Sequence, residues 1–254
     1  MGELIDLTGK RAVVTGGSRG LGRAVAVLLA RAGASVGIGY RSRQEAAREV
    51  LEEMRALGSR GWAEPGDLST ASDARRLFER ADAEFGGLDI FVGNHGIWPH
   101  QDVALADMDE AQWRTTLGAN LDAIFFTCRE AARRLGEGGR IVLIGSTAGQ
   151  RGEAWHADYA ASKGAIISLV KSFCIELADR GITVNCVAPG WFWSDMVEPV
   201  LLGDALERVT RSIPLGRVAS AEDIAGPVVF LCSSLARHIT GEVLNVNGGA
   251  VLVG

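Results

Sequence analysis

Cysteine, histidine and proline are scarce in this chain, at four, four and six of 254 residues. Cys128, Cys174, Cys186 and Cys232 lie far apart in apolar surroundings and form no C-x-x-C pair, which argues for buried thiols rather than disulfides or metal ligands. The histidines show no ligand spacing either, so no metal is expected. Long hydrophobic runs are missing: those present are broken by Gly or charge, and the opening MGELIDLTGKR has no signal-peptide apolar core. A cytoplasmic location and no membrane partner are the expectations. No stretch clusters Lys and Arg, and a net charge of −5 with a pI near 5.5 makes nucleic acid an unsuitable partner. Linkers, repeats and low-complexity segments are also lacking, which leaves one domain over residues 1–254, with 47% hydrophobic residues to fill its core.

What is present is an alternation. Short β-branched runs at 12–14, 35–39, 89–92, 141–144, 183–187 and 243–246, with a weaker one at 60–63, alternate with amphipathic runs at 21–31, 44–57, 71–85, 111–135, 159–178 and 222–233. Strand-helix alternation over the whole length predicts an α/β fold, a single doubly wound parallel sheet of Rossmann-like type with helices on both faces. Ligands in such folds bind beyond the carboxyl ends of the strands. The residues that follow each strand therefore matter most.

After the first strand comes TGGSRGLG. Gly16 permits a tight turn, Gly20 lets the backbone approach a pyrophosphate and Gly22 lets the next helix pack against the sheet, while free helix N–H groups face the phosphates. A glycine-rich turn is weak evidence alone, but here it has the strand-turn-helix context. The second strand ends, about 20 residues on, where dinucleotide sites usually offer an acid to the ribose. This chain offers Tyr40 and Arg41. Arg41 with Arg19, and with Ser18 or Ser42 as hydroxyl donors, suits a 2′-phosphate, so NADP(H) is the expected cofactor and NAD(H) the alternative.

Ser146 follows the strand at 141–144, and Tyr159 and Lys163 sit four residues apart on one face of a helix, giving Ser-x12-Tyr-x3-Lys. Single residues of these types are usually structural. Together with the turn of Thr15, Gly16, Gly20 and Gly22, the helix asparagine Asn120 in LGANLDAIF, the APG at 188–190 and ITGEVLNVNGG at 239–249, they make the chain resemble the short-chain dehydrogenase/reductase family from Gly9 to Gly249. Within that family it looks most like the 3-oxoacyl-[acyl-carrier-protein] reductases. Sugar, polyol and steroid dehydrogenases share the motifs, so the motifs do not select a substrate.

The resemblance implies that Tyr159 exchanges a proton with a carbonyl or alcohol oxygen and that Ser146 hydrogen-bonds the same oxygen. A free phenol has a pKa of about 10, so a neighbouring cation is needed to make it labile, and Lys163 is the expected one. Family likeness further implies that Lys163 holds the nicotinamide ribose, that Asn120 anchors a proton-relaying water, and that Leu21, Asp67, Leu68, Asn94, Gly96, Pro189 and Gly190 line the cofactor. Two departures stand out. Gly93-Asn94-His95-Gly96 replaces the usual Asn-Asn-Ala-Gly, with His95 expected either to fill space beside the cofactor or to contact its ribose, and Ser194 stands where many members hold the carboxamide with Thr.

Aromatics make up only 6% of the chain, yet four of six tryptophans fall in three loops that surround the substrate in the family. Those loops carry Trp98 and His100; Glu153, Trp155 and His156; and Trp191, Phe192, Trp193, Met196 and Val197. They predict an aromatic-lined pocket for a small carbonyl or alcohol, with Trp155 and Trp191 in it and Trp193 equally suited to a subunit interface. Arg133, Arg134 and Arg180 could form a basic rim for an acidic carrier protein, against which Glu137 counts. Apolar residues on several faces of 111–135 and 159–178, with the family's habit of pairing these helices, predict a homotetramer. The competing class is an NADP(H)-binding regulator without catalysis, against which the intact Ser-Tyr-Lys set speaks.

Overall fold

A computed structural model describes residues 4–253; the ends of the expected domain at 1–3 and 254 lie outside the described residues. The first three strands, β1 (Arg11–Thr15), β2 (Ser35–Tyr40) and β3 (Gly61–Pro65), step outward in one direction. β4 (Leu88–Gly93), β5 (Leu135–Ile144), β6 (Thr183–Pro189) and β7 (Val243–Val246) return to the other side of β1 and continue outward, in the order β3-β2-β1-β4-β5-β6-β7. Every pairing is parallel. The order reverses between β1 and β4, which opens a crevice at their carboxyl ends.

Strand periodicity assigns the two faces. Ala12, Val14, Ile90, Val92, Val142 and Ile144 point to one core, with α1 (Gly20–Arg31), α2 (Gln44–Ala56) and the C-terminal helix at Ala221–Cys232 packed over them. Val13, Phe91, Ile141 and Leu143 alternate with them toward the other core, under α3 (Ala71–Phe85) and the helices that contain residues 123–134 and 157–176. Phe78 of α3 meets Phe91 edge-on at 5.4 Å, both fully buried. Phe91→Ala is expected to cost about 3–5 kcal/mol, read as a fall in the denaturant midpoint.

The run expected as one helix over 111–135 is divided. It forms α4 (Glu110–Leu117), one wide π turn at Gly118–Asp122, and α5 (Ala123–Arg134). A π turn inserts a residue into the ladder and often marks a functional position; this one contains Asn120. Two helices carry no sequence signal long enough to read: α6 (Thr147–Arg151) and α8 (Asp204–Ser212), flanking α7 (Ala157–Glu176) and preceding α9 (Ala221–Cys232). The weak strand at 60–63 is realised as β3, whose Pro65 is tolerated because the strand lies at the sheet edge. All four cysteines are free and buried, as expected, and burial raises the thiols of Cys128, Cys186 and Cys232. A thiol reagent should leave the native protein unlabelled and titrate four thiols after unfolding.

Candidate active site

A cleft of about 440 Å³ runs along the carboxyl edge of the sheet, from the glycine-rich turn to the aromatic loops. Gly22 lies so close to the turn that a Cβ there would stand 2.1 Å from the Gly16 carbonyl oxygen. Gly20, at φ +52°, faces open space, with Ser194 Cβ at 3.9 Å its nearest neighbour. Helix α1 begins behind this turn with no side-chain cap and no acid in its first turn, leaving its N–H groups and dipole free for an anion. A dinucleotide pyrophosphate fits that cradle.

At the adenosine end, Tyr40, Arg41 and Ser42 line the cleft as expected. Arg41 pairs with Asp67 at 2.9 Å, and Arg19 pairs with Asp195 at 2.7 Å. Asp67 also accepts from the Ser69 hydroxyl at 2.7 Å, which does most to hold its carboxyl below the ordinary range. Asp67 therefore braces Arg41. Asp195, on the loop after β6, is a site residue that no local sequence signal marks, because the arginines it faces come from the other half of the chain. Ser18, Leu21 and Leu68 line the cleft as expected, each largely buried in its wall.

Asn94 and His95 lock β4 to β1. The Asn94 amide donates to the Thr15 carbonyl oxygen at 3.0 Å, and His95 Nδ1 lies 2.7 Å from Thr15 Oγ1. His95 does more than fill space. Burial lowers its pKa to about 3, so it is neutral, and its Nε2 is buried without a partner at the cleft wall. An orphaned polar atom beside the cradle fits a ribose hydroxyl. Gly96 lies where a Cβ would stand 3.4 Å from Lys163 Nζ, and Gly190 abuts Asn247, so both keep the cleft open beside Pro189 and Ser194.

The three residues of the Ser-Tyr-Lys pattern converge at the far end. Ser146 caps α6, accepting from Ala148 N at 3.1 Å, and its hydroxyl lines the same end of the cleft as the Tyr159 phenol. Lys163 is buried and donates to the Ile144 carbonyl oxygen at 2.9 Å; burial lowers its pKa to about 8. Its Nζ is 5.8 Å from the centre of the Tyr159 ring. The expectation that Lys163 lowers the tyrosine is corrected here: burial pushes Tyr159 up to about 12, with Glu153 adding to the rise and Ser146 opposing it. Asn120 is held by three hydrogen bonds. Its Oδ1 accepts from Ile97 N at 2.7 Å, and its Nδ2 donates to Ile97 O and Ser162 Oγ at 2.9 and 3.1 Å. The side chain bolts the loop after β4 to α7.

At the substrate end, Trp98, Glu153, Trp191, Met196 and Val197 line the cleft. Trp98 stacks on His156 at 4.7 Å and meets Trp191 edge-on at 6.1 Å. Trp155 does not join them. Its backbone adopts φ 68°, a strained value for a side-chain-bearing residue, and turns the indole out, 56% exposed. Trp193 is also largely exposed and lies outside the cleft. The proposed basic rim fails as well. Arg133 and Arg134 pair with Glu130, and Arg134 also with Asp82, while Arg180 donates to the carbonyl oxygens of Ala132 and Leu135. These arginines stand where α5 ends and β5 begins, at the edge of the sheet opposite the cleft.

The parallel sheet, the glycine cradle and the convergent Ser-Tyr-Lys group define a nicotinamide-dependent oxidoreductase, and the chain belongs to the short-chain dehydrogenase/reductase family. A family model described as enoyl-(acyl carrier protein) reductase matches residues 16–251. The chain is 38% identical over 242 residues to the 3-oxoacyl-[acyl-carrier-protein] reductase FabG of Staphylococcus aureus, covering 94% of this chain and 97% of that protein. It is 38% identical over 251 residues to FabG of Escherichia coli K12, covering 98% and 100%. A short chain dehydrogenase from Burkholderia cenocepacia, solved in complex with NADP, superposes with a TM-score of 0.91 at 39% identity over 96% of this chain and 98% of that one. The protein is thus an NAD(P)-dependent enzyme acting on CH–OH and carbonyl groups. No described helix is long and apolar enough to cross a membrane.

Proposed function

We propose that this enzyme reduces a small 3-oxoacyl-type carbonyl to the secondary alcohol with NADPH. The observation that carries the reading is the meeting of Ser146, Tyr159 and Lys163 at one end of a cleft whose other end presents Arg19 and Arg41. The nicotinamide, when bound, supplies the hydride. Tyr159, held protonated by its raised pKa, donates the proton to the carbonyl oxygen. Ser146 donates a hydrogen bond to that oxygen and steadies its charge as the bond order falls. Lys163, charged below about pH 8 and fixed by its bond to the Ile144 carbonyl oxygen, would hold the nicotinamide ribose. Asn120 is a positioning residue that fixes α7 against the loop after β4. Identity to FabG proteins supports the 3-oxoacyl class; the internally paired arginines favour small substrates over a carrier-protein complex. NADPH oxidation with an acetoacetyl thioester, free of carrier protein, is the test, and no turnover on it would overturn that substrate class.

The cofactor preference rests on Arg41 and Arg19. Both are exposed and already paired with carboxylates, Asp67 and Asp195, which a dianionic 2′-phosphate can displace. Arg41→Asp is expected to weaken NADPH by about ten- to a hundredfold while sparing NADH, the worth of one charge-assisted contact. Equal affinity of the unmodified enzyme for both cofactors would contradict the preference.

We further propose a homotetramer in the cytoplasm. Phe125 of α5 and Ile175 of α7 are 48% and 76% exposed, on the two helices expected to pair across subunits. Light scattering at micromolar concentration should give four times the chain mass, and a monomeric mass would refute the assembly.

A further inference from the structure

Glu153 is a half-buried carboxylate without a cationic partner. Elsewhere the protein neutralises such groups: Arg11 holds Asp89 at 2.7 Å, and Arg134 holds Glu130 at 2.6 Å, each acid lying below its ordinary pKa. The Glu153 side chain is 18% exposed, and its closest ion-pair distance among the described residues is 4.0 Å, to His156 Nδ1. That imidazole stacks on Trp98 and has Asp102 on its other side at 3.7 Å, so it is turned to packing. Beside the carboxylate, His156, the Trp98 indole and Arg151, which is exposed at the mouth, only partly offset its burial. Burial raises the pKa of Glu153 accordingly. An acid left this short of donors, at the wall of an open cleft, costs stability unless a ligand completes it.

The position gives that ligand its chemistry. Glu153 lines the same cleft as Tyr159 and is close enough for its charge to raise the phenol. Trp98, on the loop after β4, and Trp191, on the loop after β6, meet edge-on and line the same cleft as the acid. We propose that Glu153 is a specificity-determining residue that accepts a hydrogen bond from a hydroxyl group on the substrate, a few bonds from the reacting carbonyl, so that the enzyme prefers hydroxylated carbonyl compounds to their apolar isosteres. This rests on the carbonyl-reductase reading above and narrows its substrate class. The aromatic wall takes the carbon skeleton; Glu153 orients it.

The test is a matched pair of ketones with NADPH: 3-hydroxy-1-phenylpropan-1-one and 1-phenylbutan-1-one, which differ by hydroxyl against methyl. The unmodified enzyme should favour the hydroxy ketone by about tenfold or more in kcat/KM, chiefly through KM. Glu153→Leu should erase or reverse that ratio without weakening NADPH, and Glu153→Gln, which keeps an acceptor but loses the charge, should fall between. Changes in Tyr159 act on both ketones alike and cancel in the ratio. The corresponding alcohols, titrated against the NADP⁺ complex by tryptophan fluorescence, read the same preference without turnover. If neither ketone is reduced but the diol binds tighter and loses that advantage in Glu153→Leu, the reductase reading fails and the Glu153 assignment stands. Equal preference in the unmodified enzyme, a ratio untouched by Glu153→Leu, or no binding of either alcohol overturns it.

Discussion

Tyr159→Phe is expected to lower carbonyl reduction by about 10²–10⁴-fold, the range for a positioned acid, while NADPH affinity changes by less than about twofold. The substitution removes one oxygen. The Ser146 hydroxyl keeps its bond from Ala148 N, and the hydrogen bond from Ser162 Oγ to the Tyr159 carbonyl oxygen is untouched, so α6 and α7 stay in place. The pH dependence has a definite sign. With its pKa at about 12, the phenol is protonated throughout the neutral range, so the tyrosine contributes no pH dependence to reduction there. Alcohol oxidation needs the phenolate and should speed up as pH rises. Turnover of the variant near that of the unmodified enzyme, on any substrate the latter reduces, would remove Tyr159 from the mechanism.

Lys163→Met should behave differently. It is expected to cost about 10²–10³-fold in turnover, comparable to the loss of one preorganised donor, and about tenfold in NADPH affinity, because the ammonium would hold the ribose that sets the nicotinamide against the substrate. Stability provides an independent reading. The lysine is 4% exposed, and its pKa lies at about 8 in the folded protein against an ordinary 10.5. Between those values the unfolded chain binds more protons at this site than the folded one, so its contribution to stability increases as pH rises from about 8 toward 10.5. Below about 8 both states carry the proton, and the burial of the charge is borne in full. The melting temperature of the unmodified, cofactor-free enzyme should therefore gain on that of Lys163→Met between pH 7 and 10. A constant difference across that range would show that Lys163 is not held in a desolvated site.

Much of this organisation was legible before any coordinates. Alternating strand and helix patterns predicted the parallel sheet, because residues in a buried strand must be apolar on both faces and each crossover helix carries an apolar stripe. The strand expectations fell within or close to the strands observed. Helices shorter than about three turns escaped: α6 has five residues, too few for a period to register, and depends on the Ser146 cap. The π turn at Gly118–Asp122 escaped as well, since its cause is the fixing of Asn120 to Ile97 and Ser162, two partners distant in sequence.

For the site, local spacing determined which residues meet: Tyr159 and Lys163 are one helical turn apart, and Ser146 and the glycine turn follow strands that end at one sheet edge. Spacing therefore brought these residues to one edge, while the carbonyl chemistry followed from the family resemblance that they carry together. Only the tertiary structure decided what each charged group does. It sent Trp155 to solvent, tied Arg133, Arg134 and Arg180 into the opposite edge, set Asp195 on Arg19, and left Glu153 facing the cleft without a cation. Helical and strand periods are properties of neighbours along the chain, whereas desolvation and ion pairing depend on atoms brought together from distant segments. A pKa such as that of Tyr159 or Lys163 is dominated by burial, and burial exists only once the chain has packed.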